Sequence, residues 1–321
     1  MIVLLILSAL TVASAGQAPC IELNDGNKIP MVALGTGRGT ATSNDPIDEV
    51  RDSVLWAIEA GYRHIDTAAI YNDEKQVGQG IADAIAKGVV KREDLFVTTK
   101  LWCDKHAQTQ VVPALRESLS ELGLDYVDLY LIHFPIALKS DGSPDNIDYL
   151  DTWKGMEEAR KLGLTRSIGV SNFNSTQMDR LVANCEVKPV VNEIEVNPTN
   201  TQLKLVDHCQ KLGVAVMAYS PFGFLVSRRR ADAPPPHSDD PTIGTMAAKY
   251  GKTAGQIVLR YLVDRGLIPI PKSSNKDRIA QNIDLFDFQL TEDEVAKISN
   301  FNKDIRVIDI KDWADYPNFP F

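Results

Sequence analysis

Eight short apolar runs, each leading into a stretch whose apolar residues recur every three or four positions, constrain this chain more than any other feature. The runs read as strands at Met31–Gly35, His64–Asp66, Leu95–Lys100, Tyr126–His133, Ser167–Ser171, Val190–Glu193, Ala215–Tyr219 and Leu267–Pro271, after a short hairpin over Ile21–Ile29. The segments between them carry helical spacing, as in Val50, Val54, Ile58 and in Val111, Leu115, Leu119, Leu122. Several of these segments end on a glycine suited to a left-handed cap, at Gly61, Gly123, Gly163 and Gly213. Strand and helix alternating in this way imply an α/β fold, a (β/α)8 TIM barrel with an N-terminal β-hairpin and extended substrate loops. A doubly wound sheet would need a glycine-rich phosphate loop opening a helix after its first strand, and Gly35-Thr36-Gly37-Arg38-Gly39 opens none.

The chain has 321 residues, 44% of them apolar, and one such barrel needs about 250 residues. No Gly/Ser linker or charge block divides it, so residues 16–321 are expected to form a single domain. The net charge of −9 attracts neither nucleic acid nor an acidic membrane surface, and neither is an expected partner. Residues 1–15 differ from the rest. Met1–Leu10 is broken only by Ser8, and Ala13-Ser14-Ala15 supplies the small-x-small pattern that a signal peptidase accepts. The run is too short to span a bilayer, which favours a cleaved signal and a secreted protein over a tail retained in the cytoplasm. Cysteines at 20, 103, 185 and 209 are too few and too scattered for a disulfide scaffold or a metal site, and no metal is expected. Asn174-Ser175-Thr176 is a glycosylation sequon that matters only after export.

Three consecutive runs stop at residues able to hold or move a proton: Asp66, Lys100 and His133, with Tyr71 five residues beyond Asp66. If the runs are neighbouring parallel strands, these four side chains converge on the carboxyl end of the barrel, where barrel sites are built. A nearby ammonium stabilises a tyrosinate and lowers the phenol's pKa, and a carboxylate can hold that lysine in place, so Tyr71, Lys100 and Asp66 make a proton-donating relay. His133 can polarise or orient a carbonyl oxygen. Taken singly, Asp66 and Lys100 read equally well as a stabilising pair, Tyr71 as a loop aromatic and His133 as a core histidine. Their joint position favours a site.

The chain resembles the aldo-keto reductase superfamily from about Ile21 to its C-terminus. The resemblance rests on Gly61-Tyr62-Arg63-His64-Ile65-Asp66-Thr67-Ala68 leading to Tyr71-Asn72, on Leu129-Tyr130-Leu131-Ile132-His133, on Gly169-Val170-Ser171-Asn172-Phe173, and on Ile270-Pro271-Lys272-Ser273-Ser274. It implies that Asp66, Tyr71, Lys100 and His133 form a catalytic tetrad with Tyr71 as the general acid, and that the enzyme reduces a ketone or aldehyde with NADPH. A histidine at 133 favours carbonyl reduction over reduction of a steroid double bond. Ser171 and Asn172 are implied to bind the carboxamide and Tyr219 to stack on the nicotinamide. Lys272, Ser273 and Arg278 are implied to grip the 2′-phosphate, and Asn282 to contact the adenine. Glu193 stands where the family usually has glutamine; it can accept a hydrogen bond from the carboxamide but cannot donate one while ionised.

Trp102 and Phe134 are implied to line the substrate pocket. The aromatic tail from Trp313 to Phe321 either walls that pocket or packs against the barrel, and Arg228-Arg229-Arg230, in an insertion with Pro234-Pro235-Pro236, either faces the pyrophosphate or is a solvated loop. An aromatic mouth favours an apolar, steroid-like carbonyl. Within the superfamily the chain is similar to insect 3-dehydroecdysone 3β-reductases, which implies an ecdysteroid substrate and a monomeric protein. The alternatives are a broad-specificity aldehyde and ketone reductase, or a non-catalytic NADPH-binding or structural barrel.

Overall fold

The computed structural model describes residues 18–37, 48–226 and 239–321. The signal-like segment 1–15, Arg38-Gly39, Arg228-Arg229-Arg230 and Pro234-Pro235-Pro236 lie outside the described residues.

A hairpin opens the described chain: β1 (Cys20–Glu22) and β2 (Lys28–Pro30) pair antiparallel, with Cys20 opposite Pro30. It forms the floor of the barrel. Leu23 and Ile29 are buried against Phe96, Leu129, Met217 and Ile268, and the Asn24 amide donates to the carbonyls of Pro189 and Gly213.

Eight parallel strands follow in chain order: β3 (Leu34–Gly35), β4 (His64–Asp66), β5 (Phe96–Leu101), β6 (Val127–Ile132), β7 (Thr165–Ser171), β8 (Val191–Glu195), β9 (Ala215–Tyr219) and β10 (Ile268–Pro269). The sheet closes on itself where the Ala33 and Gly35 amides donate to the carbonyls of Pro269 and Pro271, both at 3.1 Å. The outer strands are shorter than the sequence suggests. Pro269 and Pro271 have no N–H to extend a ladder, and the Met31 amide is already used by the Pro19 carbonyl in the hairpin floor.

Helices α1 (Asp48–Glu59), α2 (Glu74–Ala86), α3 (Gln108–Leu122), α4 (Tyr149–Lys161), α5 (Ser175–Asn184) and α6 (Leu203–Lys211) each return the chain to the next strand. Between β9 and β10 lie α7 (Pro241–Tyr250) and α8 (Ala254–Asp264), and after β10 come α9 (Lys276–Ile283) and α10 (Glu292–Ser299). Gly61, Gly123, Gly163 and Gly213 all take positive φ at the turns where caps were expected.

Side chains alternate between two cores, as a period of two requires. On β6, Tyr130 and Ile132 join the large layer under the helices, while Leu129 and Leu131 point into the barrel with Ala33, Val191 and Met217. Burying this much aliphatic surface, at about 25 cal/mol per Å2, supplies the bulk of the favourable free energy of folding. The inward rows also set the register of everything at the mouth.

Candidate active site

The polar residues of the cleft continue the inward rows of their strands. Phe96 and Thr98 precede Lys100 on β5, Leu129 and Leu131 precede His133 at the end of β6, and Val191 precedes Glu193 on β8. A strand that packs its first residues in the barrel must aim its last ones at the mouth. Tyr71 arrives differently, at the end of a single helical turn, Ala69–Tyr71, that leaves β4. Asn72 closes that turn in the left-handed region (φ 55°), its amide bonding the Ala69 carbonyl at 3.2 Å; Asn tolerates this conformation better than most side chains. Gly37 lies beneath the Tyr71 ring, where an added Cβ would stand 3.0 Å from Cζ.

Lys100 is the hub. Its side chain is fully buried, with Nζ 2.6 Å from Asp66 Oδ1, 3.1 Å from the Thr67 carbonyl, 3.4 Å from Glu193 Oε1 and 5.3 Å from the Tyr71 ring centroid. Burial alone would strip Lys100 of its proton, but Asp66, Glu193 and Tyr71 outweigh it and hold the pKa above the ordinary lysine value. The His133 imidazole, edge-on to Tyr71 at 5.7 Å between centroids, is driven well below its usual pKa by burial and then by the Lys100 charge. It is therefore neutral at physiological pH and offers one N–H and one lone pair.

Tyr71 departs from the sequence expectation. Lys100 does pull its pKa down, but burial pushes it up more strongly, and the charges of Asp66, Glu193 and Asp73 add to the rise. The net shift is upward because burial outweighs the pull of the ammonium. The phenol is thus held protonated, ready to give a proton only to a strong base such as a developing alkoxide.

The residues assigned to a nicotinamide cofactor form one continuous mesh along the ends of β6 to β9. Ser171 Oγ donates to the Glu193 carbonyl at 2.8 Å, Asn172 Nδ2 donates to the His133 carbonyl at 2.9 Å, and the Tyr219 hydroxyl donates to Asn172 Oδ1 at 2.8 Å. Asn172 itself is held at φ 64°. Lys272, Ser273, Arg278 and Asn282 lie together on the loop after β10 and on α9, with Ser273 and Asn282 buried and Arg278 exposed. Two cations, a hydroxyl and the first turn of a helix suit a dianionic phosphate. The donor set therefore fits NADPH, with Tyr219 and Ser171–Asn172 at its ring end and Lys272, Ser273 and Arg278 at its 2′-phosphate.

On the other side of the cleft the wall is aromatic. Trp102 is edge-on to His133 at 5.1 Å, Phe134 stacks on His133 at 5.4 Å, and Trp313 from the tail meets Trp102 at 6.2 Å and Phe134 at 5.8 Å, with Tyr316 stacked behind it. The tail thus packs its rings against Trp102 and Phe134 at this end of the barrel. What the sequence reading missed is how the tail is tied: both oxygens of buried Glu195 accept backbone N–H groups, from Val307 at 2.6 Å and Ile308 at 2.9 Å, and Gln177 donates to the Asn318 carbonyl. Glu195 sits two residues from Glu193 on the same strand. Asn174 of the sequon caps α5, accepting from the Gln177 amide and donating to the Pro320 carbonyl. The four cysteines are free thiols.

Residues 32–303 match the model of the aldo/keto reductase family. Aldo-keto reductase AKR2E4 of Bombyx mori is 74% identical over 306 residues, covering 95% of this chain and 99% of the relative, and its crystal structure in complex with NADP superposes with a TM-score of 0.93. The silkworm AKR2E5, complexed with NADPH, is 46% identical with a TM-score of 0.92, covering 95% of this chain and 94% of that one. The mouse protein named estradiol 17 beta-dehydrogenase 5 is 40% identical over 315 residues, 94% of this chain and 97% of its own. A closed (β/α)8 barrel with this mouth, matched over nearly its whole length, belongs to the aldo/keto reductase family and is an NADPH-dependent oxidoreductase acting on small-molecule carbonyls.

Proposed function

We propose that this reductase acts on a flat, apolar polycyclic ketone, with conversion of 3-dehydroecdysone to ecdysone as the specific reading. We further propose that it works as a secreted monomer from which residues 1–15 have been removed. The observation that carries the substrate reading is the aromatic wall of Trp102, Phe134, Trp313 and Tyr316, backed by Cys103, Ile136, Leu138 and Phe319. Stacked and edge-on rings offer a broad apolar face to a fused-ring substrate and little to the hydroxyls of an open-chain sugar. The name of the mouse relative, which specifies estradiol, points to the same class. Because the wall is completed by the chain's own tail, a single copy suffices to form the pocket.

NADPH, when bound, supplies the hydride to the carbonyl carbon. The residues of the chain handle everything else. His133, neutral, donates its N–H to the carbonyl oxygen and orients it; Tyr71 gives that oxygen its phenolic proton as negative charge develops; Lys100, fixed by Asp66, stabilises the phenolate left behind. The aromatic wall excludes water from the reacting face.

The test is NADPH absorbance followed with the purified protein against 3-dehydroecdysone, an aromatic aldehyde and an aldose, alongside Trp313→Ala. The expected result is a strong preference for the steroid and, in the variant, a KM for it raised about tenfold or more, in keeping with loss of about 1.4 kcal/mol or more of ring contact. Equal turnover of the aldehyde and indifference to Trp313→Ala would replace this reading with a general carbonyl reductase.

A further inference from the structure

Three charged side chains are buried together at the barrel mouth, and their charges do not balance. Lys100 Nζ lies 2.6 Å from Asp66 and 3.4 Å from Glu193, all three side chains being at most 4% exposed. One ammonium faces two carboxyls. A net negative charge in so dry a place is expensive unless a proton neutralises it.

The hydrogen-bond count locates that proton. Asp66 Oδ2 and Glu193 Oε2 are buried and receive no donor from any N–H or O–H of the described residues, while the other oxygen of each carboxyl converges on the same ammonium, at 2.6 and 3.4 Å from Lys100 Nζ. Two carboxyls gathered on one ammonium, each with an unpartnered oxygen, are satisfied when the pair shares one proton. Glu193 is the better holder, since Asp66 has the shorter contact to Lys100 and also the stronger reason to stay ionised. The other titratable groups facing this pair are the phenols of Tyr71 and Tyr219, and neither brings a positive charge. Glutamine, the usual occupant of this position by the resemblance described above, could not do the same, for its amide N–H is permanent.

We propose that Glu193 holds a proton against Asp66 while the cofactor is reduced and releases it to solvent when the oxidised, positively charged nicotinamide is bound, so that proton uptake by the site is linked to the redox state of NADP(H). The balance is simple. The Glu193 O–H bond breaks, the proton passes to water, and the carboxylate left behind would offset the positive charge of a ring held by Ser171, Asn172 and Tyr219. Linkage is reciprocal, so raising the pH strengthens NADP+ and leaves NADPH unaffected by this route. The inference does not depend on which carbonyl the enzyme reduces.

Isothermal titration of the full-length protein with NADP+ and with NADPH, repeated in buffers of different ionisation enthalpy, counts the protons released. The adenosine 2′-phosphate titrates alike in both forms, so the difference between them isolates the ring. The wild type is expected to release close to one more proton with NADP+ than with NADPH, and its affinity for NADP+ to rise by up to about tenfold per pH unit; Glu193→Gln should lose both effects. Infrared difference spectra of the ligand-free protein supply a second readout that needs no cofactor: a protonated-carboxyl stretch present in the wild type and missing from Glu193→Gln. Equal proton release in the two proteins, or no such stretch in the wild type, would overturn the proposal.

Discussion

The barrel carries a charge cluster around a buried carboxylate at each end, and the two are built on opposite rules. At the floor, Asp128 at the start of β6 has both oxygens engaged: Oδ2 accepts from Arg92 at 2.8 Å and from the Val97 amide at 2.9 Å, and Oδ1 lies 3.3 Å from Arg166. The two guanidinium groups sandwich the Tyr126 ring at 4.1 and 4.4 Å from its centroid. Here cations outnumber carboxylates and the carboxylate is saturated. At the mouth, carboxyls outnumber cations and oxygens are left over. The floor spends its carboxylate on holding strands in register, whereas the mouth gathers two carboxyls on one ammonium, which fits the general separation of stability and catalysis between the two faces of such barrels.

That contrast can be attacked from either side. Tyr71→Phe removes one oxygen at the mouth; kcat should fall about a thousandfold, with the melting temperature and NADPH affinity nearly unchanged by calorimetry and fluorescence titration. A variant retaining near-normal turnover would remove Tyr71 from the chemistry. Asp128→Ala at the floor should do the reverse, lowering unfolding free energy by about 3 kcal/mol in urea while the folded enzyme keeps its kcat. A large loss of kcat there would show that the two ends are energetically coupled.

A third effect concerns acid. His64 and His106 are fully buried and pushed down to about 3, by burial above all. Their folded pKa lies below the unfolded value of about 6.5, so the unfolded chain binds more protons between these limits. Stability is then complete above about pH 6.5 and declines as pH falls through that window. Melting temperature measured against pH should show this decline, and a flat profile down to about pH 4 would contradict the burial of both rings.

Much of this was readable from the chain because each βα unit is local. The helical spacing of Val111, Leu115, Leu119 and Leu122 matches α3, and the positive φ of Gly123 ends it. Asp66, Lys100 and His133 stand at strand ends because a period of two, once anchored by core residues such as Leu129 and Leu131, permits nothing else. What could not be read depended on contacts between distant strands. Glu193 was placed against a carboxamide, and its approach to Lys100 appears only when β8 curls round to face β5 across the barrel. The upward shift of Tyr71 is of the same kind, since it is the sum over Asp66, Asp73, Lys100 and Glu193 rather than a property of one neighbour. The Glu195 clamp on Val307 and Ile308 spans more than a hundred residues of sequence and has no local signature.

The closure of the sheet has a mechanical meaning. Between β3 and β10 the hoop is fastened only by the Ala33 and Gly35 amides on two proline carbonyls, whereas β5 and β6 are laced along four paired positions. A ring parts first at its thinnest joint. The barrel is therefore expected to open at the seam between β3 and β10 before it opens between β5 and β6.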